Sequence, residues 1–313
     1  MLSAEHVHAS RDDGVGIITI DRRERFNSLD VRTARELRHA GLQLTRDAAV
    51  RVVVVRGAPG VFCTGADLKY VDAGGRADDR CYGVPAADAP GAYGAAFKDI
   101  LEYLHSTIAE LVRAPKPIVA AVDGVAAAGG FGLAMACDLV VASERATFEW
   151  AYGKTGLSGA ESATFFLPRL IGLRRAFELV FLNPRLDAPR ALAMGLVTAV
   201  YPTDGFDAEV LALARQLATG PTQAYGVAKR LLHRAAAVDG LDAHLDEELE
   251  NLVRVADGSD FAAGLEAFLA KRPARFRGQT SDPRRSSPQD GVAEPPSGAA
   301  VPGEASTATE GSG

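Results

Sequence analysis

Short apolar runs alternate with stretches of helical periodicity through the first two thirds of the chain. Val15–Asp21 alternates weakly and predicts a strand, whereas Arg51–Gly57, Ile118–Val122 and Leu139–Ala142 are dominated by apolar residues, which is typical of strands buried on both faces. Between the first two of these segments, Asp30 occupies a position suited to capping a helix. The pattern predicts an α/β fold in which crossover units, rather than hairpins, join the strands.

After Pro202 only helical periodicity remains. Pro221 and Asp260 stand at positions where helices commonly begin. We expect helices that follow an α/β region in this way either to form a second domain or to dock on a neighbouring subunit. The four predicted helices are Phe206–Ala218, Thr222–Ala237, Leu241–Ala256 and Phe261–Ala270.

Composition separates two further segments. Residues 278–313 contain no aromatic residue, Leu or Ile and are rich in Pro, Gly, Ser and Ala, so they cannot bury enough apolar surface to offset the entropy lost on ordering. The segment from Val71 to Tyr93 is rich in Gly, Ala, Asp and Pro, which predicts a long loop over a pocket. We therefore divide the chain into an α/β core (residues 1–205), a helical region (206–277) and a disordered tail (278–313).

The bulk composition excludes several classes of function. The 313 residues are 47% hydrophobic and 24% charged, with a net charge of −6, which gives no electrostatic footprint for nucleic acid. No apolar run is long enough to span a bilayer, and the N-terminus does not have the pattern of a signal peptide. Three cysteines are too few for a disulfide scaffold, and the histidines lack metal-ligand spacing. We expect a cytoplasmic protein without a metal, a disulfide or a membrane partner.

Two glycine turns indicate a site that could bind an oxyanion. The segment Lys116–Asp138 combines a buried strand, a glycine turn without bulky side chains and the start of a helix, and Phe62–Lys69 forms a second glycine turn after another strand. Backbone N–H groups in such turns can bind a developing oxyanion. Two turns after two strands match one oxyanion hole, and the alternative is that both glycine turns only permit close packing.

With three further motifs, these turns resemble the crotonase (enoyl-CoA hydratase/isomerase) superfamily over about Val15 to Gly278. Within that superfamily, Ala151–Leu157 and Ala218–Thr222 look most similar to the 1,2-epoxyphenylacetyl-CoA isomerase branch. The resemblance implies a spiral of ββα units whose C-terminal helices build trimers, often paired into hexamers. The motifs, in chain order, are Arg22–Leu29, Phe62–Lys69, Ala114–Asp138, Leu167–Gly172 and Phe268–Arg272.

The resemblance also implies a chemistry that runs through the enolate of a coenzyme A thioester. Coenzyme A would enter as part of the acyl-CoA substrate, with no permanently bound cofactor. The N–H groups of Ala66 and Gly129 would bind the thioester oxygen, and Lys69 would contact the coenzyme. Phe268 and Lys271 match positions that reach the nucleotide or the acyl pocket.

The chain departs from the family where hydratases carry their acids. Family hydratases use two glutamates, and the aligned positions hold Gly132 and Tyr152. Many family isomerases use one carboxylate just before a Leu-Pro pair, a position that falls on Ala160, with Glu161 beside it. We predict that Glu161 enters the pocket as the general base, with its pKa raised by burial. The alternative is that Glu161 lies in the first turn of a helix, where an acid is favourable.

Three aromatic residues complete the predicted site. Tyr152 is the second catalytic candidate, because its hydroxyl could hydrogen-bond the intermediate. Phe131 and Trp150 either line the acyl pocket with Tyr152 or belong to the core. The sequence does not indicate which acyl group is bound.

The sequence therefore predicts an acyl-CoA (enoyl-CoA) isomerase with an oxyanion hole and a single carboxylate base. One alternative is an enoyl-CoA hydratase or lyase that recruits water by another route, through Tyr152 and Glu161. The other is a non-catalytic acyl-CoA-binding homologue, because both hydratase glutamates are replaced.

Overall fold

A computed structural model describes residues 4–76 and 93–276 of the chain. These residues form the mixed α/β fold that the sequence predicts. The strands are β1 (Val7–Asp12), β2 (Val15–Ile20), β3 (Val52–Gly57), β4 (Val61–Cys63), β5 (Ile118–Val122), β6 (Val125–Ala127), β7 (Leu139–Ser143), β8 (Thr147–Glu149), β9 (Leu186–Asp187) and β10 (Ala199–Tyr201). The helices are α1 (Val31–Arg46), α2 (Leu68–Asp72), α3 (Tyr93–Arg113), α4 (Gly129–Met135), α5 (Ala163–Ile171), α6 (Leu173–Leu182), α7 (Ala188–Met194), α8 (Phe206–Thr219), α9 (Thr222–Ala235), α10 (Leu241–Ala256) and α11 (Ser259–Leu269).

Two sheets organise the fold. The larger has the strand order β1-β2-β3-β5-β7-β10, and its strands from β2 to β10 are parallel, so crossovers join them as predicted. The smaller has the order β4-β6-β8-β9, with β4, β6 and β8 parallel and β9 antiparallel. Because β4 and β6 are neighbours, the two glycine turns that follow them emerge side by side.

One connection corrects the prediction that crossovers, rather than hairpins, join the strands. β1 and β2 form an antiparallel hairpin, in which Asp13 and Gly14 have positive φ angles of 43° and 80°. Such angles suit a two-residue hairpin turn. β1 lies at the edge of the sheet and exposes most of its residues, so no apolar run marks it in the sequence.

The predicted helix starts are confirmed at Asp30 and at Pro221, which directly precedes α9, and wrong at Asp260. Asp30 caps α1 by accepting hydrogen bonds from the backbone N–H of Thr33 at 2.8 Å and from its hydroxyl at 2.7 Å. α11 begins at Ser259 rather than at Asp260, with the extended residue Gly258 before it and no side-chain cap. Asp260 therefore lies within the first turn of that helix.

The C-terminal helices share the core of the α/β region. Leu245 and Leu252 of α10 and Phe261 of α11 belong to the same buried apolar cluster as Leu101 and Leu104 of α3. No helix within residues 4–76 and 93–276 is long and apolar enough to cross a membrane. The tail, Cys81 and residues 77–92 of the predicted loop lie outside the described residues.

Candidate active site

The two predicted glycine turns meet in space. Gly65, in the turn after β4, has a φ of 82°, and a Cβ added to it would lie 2.7 Å from the backbone nitrogen of Gly129. No side chain fits at that distance, so glycine is required at position 65. Gly129 is the first residue of α4, and the start of this helix is therefore packed directly against the residue that precedes Ala66.

Hydrogen bonds to Leu29 set the direction of the Ala66 amide. The N–H of Leu29 donates to the Gly65 carbonyl at 2.8 Å, and the N–H of Asp67 donates to the Leu29 carbonyl at 2.8 Å. In this parallel bridge the N–H of Ala66 points away from Leu29. Neither that N–H nor the N–H of Gly129 donates to a backbone carbonyl in the described part of the chain. Two free N–H groups on adjoining turns are what an oxyanion hole needs.

A buried ion-pair network fixes the first of these turns. Asp67 is buried and caps α2 by accepting hydrogen bonds from the N–H groups of Lys69 and Tyr70 at 3.1 and 3.2 Å. Its carboxylate also forms ion pairs with Arg22, at 3.0 Å, and with Arg25. Burial alone would raise the pKa of Asp67, but Arg25 and the backbone N–H of Tyr70 hold it below its usual range. The Arg22–Leu29 motif thus positions the Ala66 turn.

The bend between β6 and α4 is strained. Ala128 has a φ of 46° and a ψ of −120°, a conformation that L-residues rarely adopt. A Cβ on the neighbouring Gly130 would lie 2.0 Å from the carbonyl oxygen of Cys63, so β4 and α4 are in direct backbone contact. Strain of this kind, held by tight packing, is concentrated at functional sites.

Glu161 lies against the second turn. Its residue exposure is 3%, and its Oε1 is 2.9 Å from the position that a Cβ on Gly129 would occupy. α5 begins at Ala163, after Ser162 as the preceding residue, so Glu161 is not in the first helical turn. Glu161 and Ser162 have positive φ angles of 55° and 61°, and this left-handed pair accompanies the inward position of the carboxyl group.

The environment of Glu161 favours the protonated carboxyl group. Burial raises the pKa of Glu161 well above its ordinary value, and the negative charge of Glu248 raises it further. Groups that exchange protons in catalysis are commonly tuned in this way.

Three buried side-chain polar atoms have no hydrogen-bond partner within residues 4–76 and 93–276. They are the hydroxyl of Tyr152, Oε2 of Glu161 and Oγ of Ser162. Buried polar groups are nearly always paired, so each unpaired atom requires an explanation, and a catalytic role is one of them. Two of these atoms belong to the residues predicted to be catalytic.

The backbone of Glu161 occupies the space where a side chain on Gly132 would lie. A Cβ on Gly132 would lie 2.4 Å from the carbonyl oxygen of Glu161 and 2.9 Å from its Cβ. The space beside position 132, where the resemblance predicts the glutamate of a hydratase, is therefore filled by the backbone of Glu161.

The predicted aromatic residues are buried. The rings of Trp150 and Tyr152 have centroids 5.0 Å apart. Gly159 packs against the Trp150 ring, and a Cβ added to Gly159 would lie 2.4 Å from a carbon atom of that ring. This places both rings next to the loop that ends in Glu161. Phe131, Trp150 and Tyr152 are 1%, 2% and 5% exposed, and all three belong to the apolar core cluster.

The residues predicted to contact coenzyme A lie on the surface. Lys69 is exposed on α2, while Phe268, at 51% exposure, and Lys271 lie at the end of α11. α2 and α11 pack against each other, so Lys69 and Phe268 lie on neighbouring helices, and Lys271 follows the end of α11.

Cys63 does not have the properties of a nucleophile. It is buried and free, and burial raises the pKa of its thiol to about 12, an effect to which the charge of Glu161 adds. A thiolate is therefore disfavoured, and packing of β4 accounts for this residue.

Sequence reasoning missed two polar residues behind the site. His105 of α3 accepts a hydrogen bond at Nε2 from the backbone N–H of Glu161 at 3.2 Å, and Glu248 of α10 accepts one from the N–H of Ser162 at 2.7 Å. Both are buried. The sequence could have indicated His105, because this titratable residue shares a helix face with the apolar residues Leu101 and Ile108, within a run of buried positions.

Comparison with known proteins agrees with this geometry. The sequence profile described as enoyl-CoA hydratase/isomerase matches residues 10–279. The chain belongs to the enoyl-CoA hydratase/isomerase family. The family acts on acyl-CoA thioesters, and the predicted resemblance to the crotonase superfamily is confirmed.

Named relatives within the family include different activities. The chain is 32% identical over 269 residues to 4-chlorobenzoyl coenzyme A dehalogenase-2 of an Arthrobacter species, covering 86% of this chain and 92% of that protein. It is 32% identical over 277 residues to 1,2-epoxyphenylacetyl-CoA isomerase of Escherichia coli K12, covering 88% and 99%. The crystal structure of an enoyl-CoA hydratase from Mycobacterium avium subsp. paratuberculosis matches with a TM-score of 0.75 and 31% identity, covering 88% and 99%. The predicted crotonase fold is therefore confirmed.

Proposed function

We propose that this protein is an acyl-CoA isomerase in which Glu161 moves a proton between carbon atoms of a bound thioester. The observation that carries the proposal is the position of Glu161 Oε1, 2.9 Å from where a Cβ on Gly129 would lie. A buried carboxyl group with an unpaired oxygen thus adjoins the N–H groups of Ala66 and Gly129, which would hold the thioester oxygen.

The reaction conserves all substrate atoms. The carboxylate of Glu161 takes a proton from the carbon next to the thioester carbonyl, and the electron pair moves onto the carbonyl oxygen. The N–H groups of Ala66 and Gly129 stabilise that oxyanion, where one such donor contributes about 2.7–4 kcal/mol. Glu161 then returns the proton to a different carbon, and the double bond or ring bond shifts. The unpaired Tyr152 hydroxyl would donate a hydrogen bond to the acyl group.

We further propose that the acyl group is aromatic. Trp150 and Tyr152 present two adjacent rings beside the Glu161 loop, and flat rings pack favourably on one another. Two relatives carry names that refer to aromatic thioesters, a chlorobenzoyl-CoA and an epoxyphenylacetyl-CoA. Both lines of support point to a ring rather than to a linear chain.

Exchange with deuterated water tests the reaction type. The purified protein is incubated in D₂O with phenylacetyl-CoA and with a short-chain enoyl-CoA, and the products are followed by mass spectrometry and NMR. Isomerase chemistry incorporates deuterium at the α- or γ-carbon and leaves the substrate otherwise unchanged in mass. Addition of a whole water molecule would instead establish the hydratase alternative. Tight binding without exchange into any thioester would establish the non-catalytic alternative.

We also propose that the enzyme is cytoplasmic and that three surface residues bind the coenzyme, namely Lys69, Phe268 and Lys271. Lys69→Ala should weaken acyl-CoA binding by up to about fivefold and leave kcat unchanged, because an exposed ion pair contributes about 0.2–1 kcal/mol. Isothermal titration with acyl-CoA measures the loss. The same acyl group on pantetheine, which lacks the nucleotide phosphates, is the control and should bind wild type and variant equally. An equal loss for both ligands would contradict a phosphate contact.

We propose a homotrimer, or two trimers paired in a hexamer, in which the surface of α6 is an interface in addition to the C-terminal helices that the resemblance implies. Phe177 and Phe181 are 48% and 74% exposed, and their rings stack with centroids 5.3 Å apart. Leu173 and Leu182 of the same helix are also exposed. Contiguous exposed apolar residues of this kind mark interaction surfaces.

The double variant Phe177→Ser/Phe181→Ser should therefore lower the mass of the oligomer, because it removes apolar area that association buries at α6. Light scattering coupled to size exclusion measures the mass of each form. Glu209→Ser, at an exposed position of α8, is the control and should leave the mass unchanged. A wild-type monomer, or an unchanged oligomer in the double variant, would contradict the proposed interface.

A further inference from the structure

A second buried carboxyl group lies behind the Glu161 turn. Glu248 of α10 is 6% exposed. Its Oε2 accepts the backbone N–H of Ser162 at 2.7 Å, and its Oε1 accepts the hydroxyl of Thr164. Both oxygens are thus engaged by donors, an environment that suits a carboxylate anion.

These hydrogen bonds hold a strained piece of backbone. Glu161 and Ser162 are consecutive residues with positive φ, a conformation that costs about 1–3 kcal/mol per residue and persists only where the surroundings impose it. Glu248 bonds the second of these residues, and His105 bonds the N–H of the first at 3.2 Å. The turn that presents Glu161 is therefore held from behind by two helices, α3 and α10.

Two histidines face Glu248. Nε2 of His244, one turn earlier on α10, lies 3.4 Å from Oε1 of Glu248 and 2.8 Å from the Thr164 hydroxyl, and its side chain is 31% exposed. Nε2 of His105, on α3, lies 4.0 Å from Oε2 of Glu248. Burial lowers the pKa of His105 to about 4, and its Nε2 accepts the Glu161 N–H, so His105 is neutral and leaves the charge of Glu248 in place.

No fixed positive charge lies between the two carboxyl groups in the part of the chain that the structure describes. Two other charged groups lie near this cluster. Asp246 of α10 is exposed and acts on His105, and the guanidinium of Arg169 on α5 lies over the Phe165 ring that packs against His244. Two carboxyl groups in one buried cluster do not ionise independently, and the charge on one holds the proton on the other.

We propose that Glu248 is a positioning residue that holds the Glu161–Ser162 turn and, by its negative charge, sets the pH above which Glu161 works as a base. The inference rests on the proposed function only for the role of Glu161 in proton transfer. Glu248 itself does not touch the substrate in this scheme. Its effect is on where the Glu161 carboxyl group lies and on when that group is ionised.

The variant Glu248→Gln separates charge from shape. It keeps a carbonyl oxygen for the Ser162 N–H and removes the negative charge. The acidic limb of the pH profile of kcat should move to lower pH, with the plateau at higher pH retained. Glu248→Ala removes both the charge and the hydrogen bonds, so it should move the limb and also lower the plateau. Glu247→Gln, at an exposed neighbouring position of α10, is the matched control and should reproduce the wild-type profile.

A second variant tests the same proposal without replacing Glu248. His244→Lys places a permanent positive charge beside Glu248 at a partly exposed position, and it should move the acidic limb in the same direction as Glu248→Gln. If neither variant moves the limb, the proposed role of Glu248 is overturned. If Glu161→Gln turns over normally, the proposed function itself fails, whatever these two profiles show. The two failures are therefore distinguishable.

Discussion

Glu161→Gln is expected to lower kcat by about 10²–10⁴-fold, which is the usual contribution of a positioned acid or base, and to leave acyl-CoA affinity near that of the wild type. The amide has the size of the carboxyl group but cannot take a proton from the α-carbon. The N–H groups of Ala66 and Gly129 and the surface residues of α2 and α11 are unchanged, so binding should persist. Single-turnover kinetics and isothermal titration measure the two quantities separately.

The control for this variant is Glu144→Gln, an exposed acid in the turn after β7, which should retain full activity. Normal turnover in Glu161→Gln would show that another group moves the proton. Tyr152 would then be the next candidate, because its hydroxyl is also buried and unpaired.

The pH dependence of the free energy of unfolding tests whether the carboxyl group of Glu161 is buried in the folded protein. Its folded pKa is raised above the ordinary value of 4.5, so the unfolded chain ionises this group at a lower pH than the folded protein does. The contribution of Glu161 to the free energy of unfolding should therefore fall as pH rises from 4.5 toward the folded pKa, and level off above it. Glu161→Gln should lack this component of the pH dependence. Urea denaturation of both proteins at a series of pH values measures the difference.

The sequence predicts the parts of this fold that have a strong local pattern. The apolar runs of β3 and β5 and the cap at Asp30 follow from burial and hydrogen bonding within a few residues. β4, β6 and β8 are only three residues long, too short for any periodicity to be visible. They form because neighbouring strands supply hydrogen bonds, on both sides of β6 and β8 and on one side of the edge strand β4.

The candidate site shows the same division. The two glycine turns could be predicted, because backbone chemistry alone requires small residues there. The inward position of Glu161 was one of two alternatives, since a left-handed pair of non-glycine residues has no sequence signature. Glu248 and His105 lie 86 and 56 residues from the backbone groups they bond, so only the tertiary fold brings them to this turn.

Gly132→Ala is expected to lower kcat by about 10²-fold, the loss that a displacement of about 1 Å in a catalytic group can cause. The added Cβ would lie 2.4 Å from the carbonyl oxygen of Glu161, so the Glu161 turn has to move away from α4. Steady-state kinetics gives kcat, and a crystal structure of the variant gives the displacement of residues 160–162.

Gly41→Ala is the control for a glycine that is buried in a helix but not crowded. A Cβ at Gly41 would lie 3.5 Å from Cγ2 of Thr107, an ordinary contact, so activity should be retained and stability should rise by up to about 1 kcal/mol. Full activity in Gly132→Ala would mean that the Glu161 turn tolerates displacement, and the proposed geometry of proton transfer would then be wrong.

The same contact predicts the outcome of restoring an acid at this position. In Gly132→Glu the side chain has to occupy space that the backbone of Glu161 now fills, so the variant should lose isomerase activity without gaining hydration. A glutamate at 132 and the inward Glu161 turn exclude each other sterically. We therefore infer that the glycine at position 132 and the inward turn at Glu161 depend on each other, and hydration appearing in Gly132→Glu would contradict this inference.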